Sequence, residues 1–443
     1  MDKKAILDQV RKDDVKFISF QFSDVTGKVK SVDAPVKQLE GALDNGIWFD
    51  GSSVQGFARI QESDMHLKID RDTYAVLPWT PENMRRARFF CDIYTVDDEP
   101  FSGDPRGLLK KMVMDLKKQG LVLNCGPEPE FFLFKQNGGL TPVPHDIGGY
   151  FDFSSDDEAV QVRTELMDAL GSMGLEIEVG HHEAARGQHE IDFRFADALR
   201  TADNVMTFKY AVKAIAAQHG LIASFMPKPI FGISGSGMHT HMSLFDTKGN
   251  TIFFDKDDDF KLSKTAYSFL AGQLKHARAL SALLAPTVNS YKRLVPGFEA
   301  PVYVCWAQMN RSALIRIPRY TAGQEKATRI ELRCPDPSCN PYLAFAGMLA
   351  AGKDGMENEL EPPKPLNNVN IYKLSEEERK AKGIKALPSS LADALAELDN
   401  DTLLKDALGH DIYSAFRRAK LEENEDFRIH VTDWEVEKYL QGA

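Results

Sequence analysis

The 443-residue sequence has no apolar run long enough to span a membrane and no excess of positive charge. Its formal net charge of −11 argues against a general binder of nucleic acid or acidic membranes, because phosphates need cationic partners. Residues 1–4 predict the start of an amphipathic helix rather than a signal peptide. With 43% hydrophobic and 27% charged residues, the chain is expected to be soluble and cytoplasmic, with two or three domains.

Cysteine is also scarce, with five in the whole chain. An odd number without secretory context predicts reduced thiols. Cys334 and Cys339 do not have a usual zinc spacing, so ordinary buried or loop cysteines are expected. A Gly-Lys-Ser/Thr phosphate loop, a dinucleotide fingerprint and internal repeats are absent as well. Nucleotide chemistry, if present, would therefore need another kind of site.

Acidic residues occur in pairs that predict a cation site. The stretch from His181 to Asp192 is typical of a hairpin, with alternating flanks and Gly187 between them. A turn centred near Arg186 and Gly187 would place Glu183 and Glu190 opposite each other, about 5 Å apart, where like charges repel unless neutralised. A divalent cation would neutralise them. Alternatively, this is a solvated hairpin tip.

A second pair is Glu128 and Glu130, which share one face of a predicted strand over 121–134. Pro129 leaves open an exposed edge strand, where both carboxylates would be hydrated. A glycine loop over 234–237 precedes His239 and His241. The alternation places His239, His241 and Ser243 on one strand face, which favours contact with a ligand or phosphate.

Arginines follow these acids along the chain, at Arg293, Arg311 and Arg316. Residues 329–333 alternate as Arg, Ile, Glu, Leu, Arg, which is typical of a strand with its charges on one face; an exposed, self-paired surface is the alternative. Hard oxygen ligands with at most one imidazole favour Mg²⁺ or Mn²⁺ over zinc. Several metals beside an arginine cluster suit phosphoryl transfer. The residues alone therefore predict a Mg²⁺-dependent, nucleotide-using enzyme without a phosphate loop.

The acidic, Pro- and Gly-containing segment 97–103 is typical of a linker. Asp104 and Pro105 predict the start of a helix after it. We therefore expect one domain over residues 1–103 and a second over 104–443, ending in a charged tail of short amphipathic helices. In the first domain, the polar loop 48–53 is most simply a turn.

Eight motifs, in chain order, resemble the glutamine synthetase family of the prokaryotic type I class: Asp50-Gly51-Ser52-Ser53, Glu128-Pro129-Glu130, His182-Glu183, Gly187-Gln188-His189-Glu190, Met226-Pro227-Lys228-Pro229, Gly235-Ser236-Gly237-Met238-His239, Asn289-Ser290-Tyr291-Lys292-Arg293-Leu294, and Asn310-Arg311-Ser312 with Ile315-Arg316-Ile317-Pro318. The resemblance runs from about residue 15 to the C-terminus. It implies an α+β fold, with a small β-grasp-like N-terminal domain and a large α/β catalytic domain of the glutamine synthetase/guanido kinase type.

The resemblance implies ATP-dependent synthesis of glutamine from glutamate and ammonium through γ-glutamyl phosphate, for nitrogen assimilation. Two or more Mg²⁺ or Mn²⁺ ions per site are implied. One is held by Glu130, Glu183 and Glu190, and the other by Glu128, His239 and Glu331. The residues implied on the substrate side are Tyr150, Gly235, Arg293, Glu299 and Arg333. Those implied on the nucleotide side are Glu178, Phe195, His241, Ser243, Arg316 and Arg329.

The catalytic residues implied are Asp50, Ser53, Glu299, Arg311 and Arg316. Asp50 would deprotonate ammonium, and Glu299 would shield the acyl phosphate from water. The family assembles as dodecamers with sites between subunits, and a regulatory protein partner is conceivable. Ser234 departs from the Asn usual in the family, which leaves its substrate contact open. The chain length matches the shorter subclass, in which Arg59 is implied in glutamine feedback.

Two alternatives are a γ-glutamyl ligase for another amine and a catalytically silent regulatory relative. Asp50 and Ser53 favour ammonia over a bulky amine, and the filled metal positions disfavour a silent relative.

Overall fold

The computed structural model describes residues 1–52, 54, 64–139, 141–153, 158–308, 310–367 and 369–442. Two of the predicted functional residues, Ser53 and Arg59, lie outside these described residues. Within them, no helix is both long and apolar enough to cross a membrane.

A small sheet forms first along the chain. Its strands are β1 (Phe17–Ser23), β2 (Val29–Pro35), β3 (Ile47–Asp50), β4 (Asp64–Ile69), β5 (Ala75–Val76) and β6 (Arg86–Tyr94). They are ordered β2-β1-β6-β4-β3, with β5 also paired to β6. The β1–β6 pair is parallel and the other pairs are antiparallel. Apolar residues such as Ile18, Phe20 and Phe89 are fully buried against helices α1 (Lys3–Lys12) and α2 (Leu39–Asn45).

The sequence-based prediction for this part was incomplete. The segment predicted as a polar loop over 48–53 begins as strand β3, which pairs with β4. Neither strand was predicted, and Ile47–Asp50 is only four residues long. So short a strand gives no clear alternation, and its pairing partner decides its conformation.

The larger sheet carries the predicted acidic motifs. Its strands are β7 (Leu121–Lys135), β8 (Ile177–His182), β9 (Gln188–Phe193), β10 (Ala196–Asp197), β11 (Leu221–Ser224), β12 (Met238–Asp246), β13 (Trp306–Gln308), β14 (Ile315–Ile317) and β15 (Ile330–Leu332). The order is β13-β14-β15-β12-β7-β9-β8, with β10 and β11 also on β7. The predicted α+β class is therefore observed.

Strand β7 lies in the middle of this sheet, so the edge-strand alternative is wrong. Its pairing with β12 ends at Pro129, and its pairing with β9 begins at Glu130. Pro129 thus stands where the partner changes, and its missing N–H costs no ladder bond.

Helices cover the larger sheet and extend to the C-terminus. They are α3 (Pro105–Lys118), α4 (Glu158–Ser172), α5 (Ala198–Gln218), α6 (Lys264–Leu284), α7 (Ser290–Arg293), α8 (Pro341–Glu357), α9 (Glu376–Ala381), α10 (Leu391–Asn400), α11 (Thr402–Ile429) and α12 (Asp433–Tyr439). Helix α11 spans 28 residues with a break at Gly409, so the tail is not made only of short helices. Helix α3 has the predicted Asp104 cap and Pro105 start.

A buried ion network joins the small sheet to the larger unit. The guanidinium of Arg106, 1% exposed, donates to Asp203 on α5 and contacts Asp70 and Asp92 beside β4 and on β6. Tyr342 on α8 donates to the same Asp203 at 2.7 Å. An ion so buried is tolerated only with full pairing, so this network fixes how the two parts pack.

Candidate active site

Strand register brings the paired acids of the sequence together. Glu128 on β7 lies opposite His239 on β12, and Glu130 lies opposite Glu190 on β9. Residues two apart on a strand project to the same side. These four side chains consequently line one cleft of about 400 Å³, which we call the carboxylate cleft.

The first ligand cluster in this cleft is Glu128, His239 and Glu331, whose potential ligand atoms lie within 4.8 Å of one another. His239 Nδ1 is 3.7 Å from Glu128 and 3.9 Å from Glu331. Burial, aided by the positive charge of Arg333, lowers the pKa of His239 to about 4. The imidazole is therefore neutral at pH 7, as metal ligation requires.

Glu331 tests whether a cation fits this cluster. Its side chain is fully buried, with Arg333 donating to Oε1. Arg316 Nε lies against Oε2 without hydrogen-bond geometry, so Oε2 has no donor among the described residues. Because its hydrogen-bonding capacity is not filled, this oxygen can still serve as a metal ligand beside the Arg316 guanidinium. The cluster therefore fits a hard divalent cation.

The second cluster consists of His181, Glu183 and Glu190, again within 4.8 Å. Here the predicted register was wrong, because Glu190 lies opposite His181 rather than Glu183. The turn is centred one residue earlier than expected, between Ala185 and Arg186. Glu183, two residues after His181, still shares its face, so the two glutamates meet diagonally.

Crowding of negative charge is the main electrostatic feature of the cleft. Burial, then the carboxylates of Glu130 and Asp192, raise the pKa of Glu190 well above its usual range. Burial and the charge of Glu183 also raise the pKa of Glu130, although Gly237 donates its N–H to that carboxylate at 2.9 Å. Without a cation, these groups retain protons.

Four arginines also line the carboxylate cleft and form what we call its arginine wall: Arg293, Arg311, Arg316 and Arg333. Arg293 is 3% exposed and donates to the carbonyls of Cys334 and Arg333 at 2.9 and 3.1 Å. For Arg311, burial opposes the charge, but the Tyr150 hydroxyl and Glu299 outweigh it and raise the pKa. The cleft thus places fixed positive charge beside the acidic clusters.

The glycine loop over 234–237 also lines the carboxylate cleft, through Ser234, Gly235 and Gly237. A Cβ on Gly237 would lie 2.6 Å from the Arg293 guanidinium, and one on Gly235 would collide with the carbonyl of Pro227. Both positions therefore require glycine for packing as well as for any ligand. Ser234 lines the cleft beside Gly235.

A second cleft of about 250 Å³ adjoins the first and shares Glu128 and Asp192 with it. We call it the aromatic cleft, because Phe195 and Phe245 line it with stacked rings 6.3 Å apart. Five of the predicted nucleotide-side residues line it, namely Glu178, Phe195, His241, Ser243 and Arg329. The sixth, Arg316, lines the carboxylate cleft instead.

The hydrogen bonds of His241 define its tautomer. Arg329 Nε donates to its Nδ1 at 3.1 Å, so the proton resides on Nε2, which donates to Glu128 at 2.7 Å. Ser243 donates its hydroxyl to the Thr328 carbonyl at 2.8 Å. A chain of polar contacts therefore runs from the aromatic cleft to the first ligand cluster.

The comparisons with known proteins agree with this geometry. Residues 14–96 match the family model for the glutamine synthetase β-grasp domain, and residues 102–439 match that for the glutamine synthetase catalytic domain. The chain belongs to the glutamine synthetase family. It is 51% identical to a glutamine synthetase of Methanosarcina mazei, over 99% of this chain and 97% of that protein. It is 50% identical to the glutamine synthetase of Thermus thermophilus, over 99% and 98%.

Solved glutamine synthetase-like structures share the whole architecture. The Plasmodium falciparum glutamine synthetase, solved by cryo-electron microscopy, superposes with a TM-score of 0.89 at 25% identity, covering 99% of both chains. A structure described as a GmaS/ADP complex gives 0.87 at 32% identity, covering 98% of this chain and 99% of that one. The predicted fold, a β-grasp domain followed by a large catalytic domain, is confirmed.

Asp50 was predicted as a catalytic residue, but it lies away from the carboxylate cleft of its own chain. It ends β3, is exposed, accepts the Ser52 N–H at 2.8 Å, and is not among the described residues that line the carboxylate cleft. The hydrogen bonds from Ser52 lower its pKa. Glu299, in contrast, lines the cleft with a left-handed φ of +55°.

Sequence reasoning missed two acidic or basic residues of this glutamine synthetase cleft. His181 belongs to the second cluster, and its position two residues before Glu183 was the available signal. Asp192 lies where both clefts meet, two residues after Glu190 on the same strand face. The other predicted residues, Tyr150, Gly235, Arg293 and Arg333, all line the carboxylate cleft.

Proposed function

We propose that this chain joins ammonia to the side-chain carboxylate of glutamate, using ATP and forming glutamine, ADP and phosphate. In this proposal a glutamate side-chain oxygen attacks the γ-phosphorus of ATP and ADP leaves. Ammonia then attacks the γ-glutamyl carbon, and phosphate leaves. The observation that carries the proposal is the junction of the two clefts at Glu128, which places an aromatic-lined space beside arginines and carboxylates.

Two sets of residues would hold Mg²⁺ or Mn²⁺. Glu128, His239 and Glu331 would hold the ion nearer the aromatic cleft, and Glu130, Glu183 and Glu190 the other, with His181 near it. These ions would neutralise phosphate oxygens and fix the nucleotide for in-line transfer. The first set is supported by the Glu331 oxygen that has no hydrogen-bond donor among the described residues and by the neutral His239.

The arginine wall supplies the fixed positive charge. We assign Arg311 and Arg316 to the transferred phosphoryl group, because both line the carboxylate cleft, with Arg316 beside Glu331 of the first cluster. Guanidinium groups suit phosphate and carboxylate oxygens geometrically. We assign four other residues that line the same cleft to the binding of glutamate: Arg293, Arg333, Tyr150 and Gly235.

Asp50 and Ser53 are proposed to form the ammonium pocket, with Tyr150, Glu183 and Glu299. Because Asp50 does not line the cleft of its own chain, we infer that a neighbouring subunit supplies it. A closed homo-oligomer, proposed as a dodecamer of two hexamers, would repeat this arrangement. Its units would be residues 1–103 and 104–443, and glutamine feedback would act through Arg59. The five buried, reduced cysteines suit a cytoplasmic location.

A second candidate is ligation of glutamate to another amine. The 51% identity to the Methanosarcina mazei glutamine synthetase favours ammonia over that alternative.

The test is ADP release from ATP, Mg²⁺ and glutamate, comparing ammonium with a panel of primary amines. We expect rapid turnover with ammonium and little with the amines. Turnover only with an amine would leave the ligase chemistry intact and overturn the substrate. No ADP release with any acceptor would favour a catalytically silent binding protein.

A further inference from the structure

Beneath the second ligand cluster lies a buried polar group that the proposed chemistry does not use. His182 and His189 face each other across β8 and β9, next in sequence to Glu183 and Glu190, and are 2% and 0% exposed. Asp146 and His145, from the segment 141–153, meet them there.

Among the described residues, four polar groups contact the carboxylate of Asp146. Oδ1 accepts the N–H of Gly187 at 2.7 Å and that of Gly148 at 3.3 Å. Oδ2 lies 2.9 Å from His182 Nε2 and 3.0 Å from His145 Nε2. Asp146 therefore joins its own segment to the turn between Glu183 and Glu190.

His182 extends this link to a proposed ligand. Its Nε2 faces the Asp146 carboxylate, and its Nδ1 faces the carbonyl oxygen of Glu183 at 2.7 Å. The ring is therefore held between two oxygen acceptors, one on each nitrogen. A Cβ on Gly148 would lie 2.8 Å from Nε2, so a side chain at that position would displace the ring. The Phe151 N–H donates to the His182 carbonyl at 3.0 Å, just after Tyr150.

A third metal site is not the explanation, although potential ligand atoms of His145, Asp146 and His189 lie within 4.8 Å. The two Nε2 atoms of His145 and His189 are 2.8 Å apart, a hydrogen-bond distance. Arg163 donates to His189 Nδ1 at 2.7 Å, which places a cation against the group. The arrangement is a hydrogen-bond network.

We propose that Asp146 is a positioning residue for the second ligand cluster. Through Gly187 and His182 it fixes the main chain of Glu183, and through its own segment it fixes Tyr150 relative to that glutamate. The inference rests on the proposed metal-binding role of Glu183 and Glu190. Residues that orient ligands in this way typically contribute about 10- to 100-fold to metal affinity.

The test is Mn²⁺ binding to the assembled enzyme by calorimetry without nucleotide, together with the Mn²⁺ dependence of turnover. For Asp146→Asn we expect about 10- to 100-fold weaker binding at one class of sites and an equally raised KM for Mn²⁺. The rate at saturating Mn²⁺ should return to within a few fold of wild type. Asp152→Asn, in the same segment, removes an exposed carboxylate that accepts the Gly149 N–H and should change neither quantity.

A second variant guards against misfolding of the first. Gly148→Ala removes no charge but displaces the His182 ring, so it should weaken Mn²⁺ binding in the same direction. Wild-type Mn²⁺ affinity in both variants, or a lost rate that excess Mn²⁺ does not restore, would overturn the proposal. If wild type binds Mn²⁺ but makes no glutamine, the proposed function fails while this binding test stands.

Discussion

Glu331 is the most constrained carboxylate of the proposed site. It is fully buried between Arg316 and Arg333, and one of its oxygens lacks a donor among the described residues. Its charge compensates two guanidinium groups at once. Removing that charge leaves both guanidinium groups without a counter-ion and takes a carboxylate out of the first ligand cluster.

Glu331→Gln should therefore reduce glutamine formation at saturating Mg²⁺ by about 100-fold or more, since it weakens a proposed metal ligand and removes the counter-charge of Arg316 and Arg333. Steady-state assays of glutamine and ADP measure it. Glu357→Gln, on the exposed side of α8, is the matched control and should be unaffected. Near-normal activity in Glu331→Gln would refute the assignment of this ligand.

The crowded acids also predict a proton linkage. Burial and neighbouring carboxylates raise the pKa values of Glu190 and Glu130, so protons remain bound above the ordinary carboxyl range near pH 4.3. A cation needs the ionised forms, so binding releases protons and affinity rises with pH. Calorimetry of Mn²⁺ binding at pH 7 in buffers of different ionisation enthalpy should show this release. Identical heats in all buffers would contradict it.

The sequence predicted the identity of these residues better than their partners. Glu128 and Glu130 could be placed on one face because strand alternation does not depend on the rest of the fold. The residue opposite Glu183 could not be predicted, because it depends on where the turn before Gly187 is centred.

At the scale of elements, the sequence alone did not predict the register of the strands or the way in which the helices pack. Helix α8 (Pro341–Glu357) is nearly all buried and almost uniformly apolar, so it has no polar face to reveal its period. Its glycines explain how it packs. A Cβ on Gly355 would collide with the Ser268 carbonyl of α6, and one on Gly272 of α6 with the Ala351 carbonyl.

Gly355→Ala should therefore separate α6 from α8 and lower the free energy of unfolding by roughly 1–3 kcal/mol, as overpacking does. Urea unfolding followed by circular dichroism measures the change. The control is Gly171→Ala in α4, where a Cβ meets nothing within 4 Å. It should be neutral or stabilising by about 0.5–1 kcal/mol. Equal stability of both variants would contradict the close approach.

His276 on α6 ties three helices together. Its Nδ1 contacts Asp401, the cap of α11, and its Nε2 lies 3.1 Å from Asp354 of α8. Burial lowers the pKa, but the two carboxylates outweigh it and raise the pKa above the ordinary 6.5. The stabilisation is therefore complete below pH 6.5 and is lost as the pH rises through the folded pKa.

His276→Gln should cost roughly 1.5–3 kcal/mol at pH 6 and clearly less at pH 9, since hydrogen bonds to charged groups carry that range. Urea midpoints at the two pH values give the difference. A cost independent of pH would show that the imidazolium is not the stabilising form.

At the scale of the whole molecule, the proposed site is complete only where two subunits meet. Asp50 lies outside the cleft of its own chain, whereas Glu331 lies inside it. Mixed oligomers reassembled from inactive Asp50→Ala and Glu331→Ala subunits should regain up to about a quarter of wild-type activity, because some interfaces then combine two intact halves. Homogeneous mixtures of either variant alone are the controls. No recovery after verified subunit exchange would place the whole site within one chain.

The most direct measurement of the central claim is oxygen transfer from glutamate to phosphate. Glutamate labelled with ¹⁸O in its side-chain carboxylate is converted with ATP, Mg²⁺ and ammonium, and the phosphate is analysed by mass spectrometry. The account predicts one ¹⁸O in each phosphate formed alongside glutamine, because the oxygen that attacks ATP leaves with the phosphoryl group. Unlabelled phosphate, or ADP formed without glutamine, would contradict a γ-glutamyl phosphate at this site.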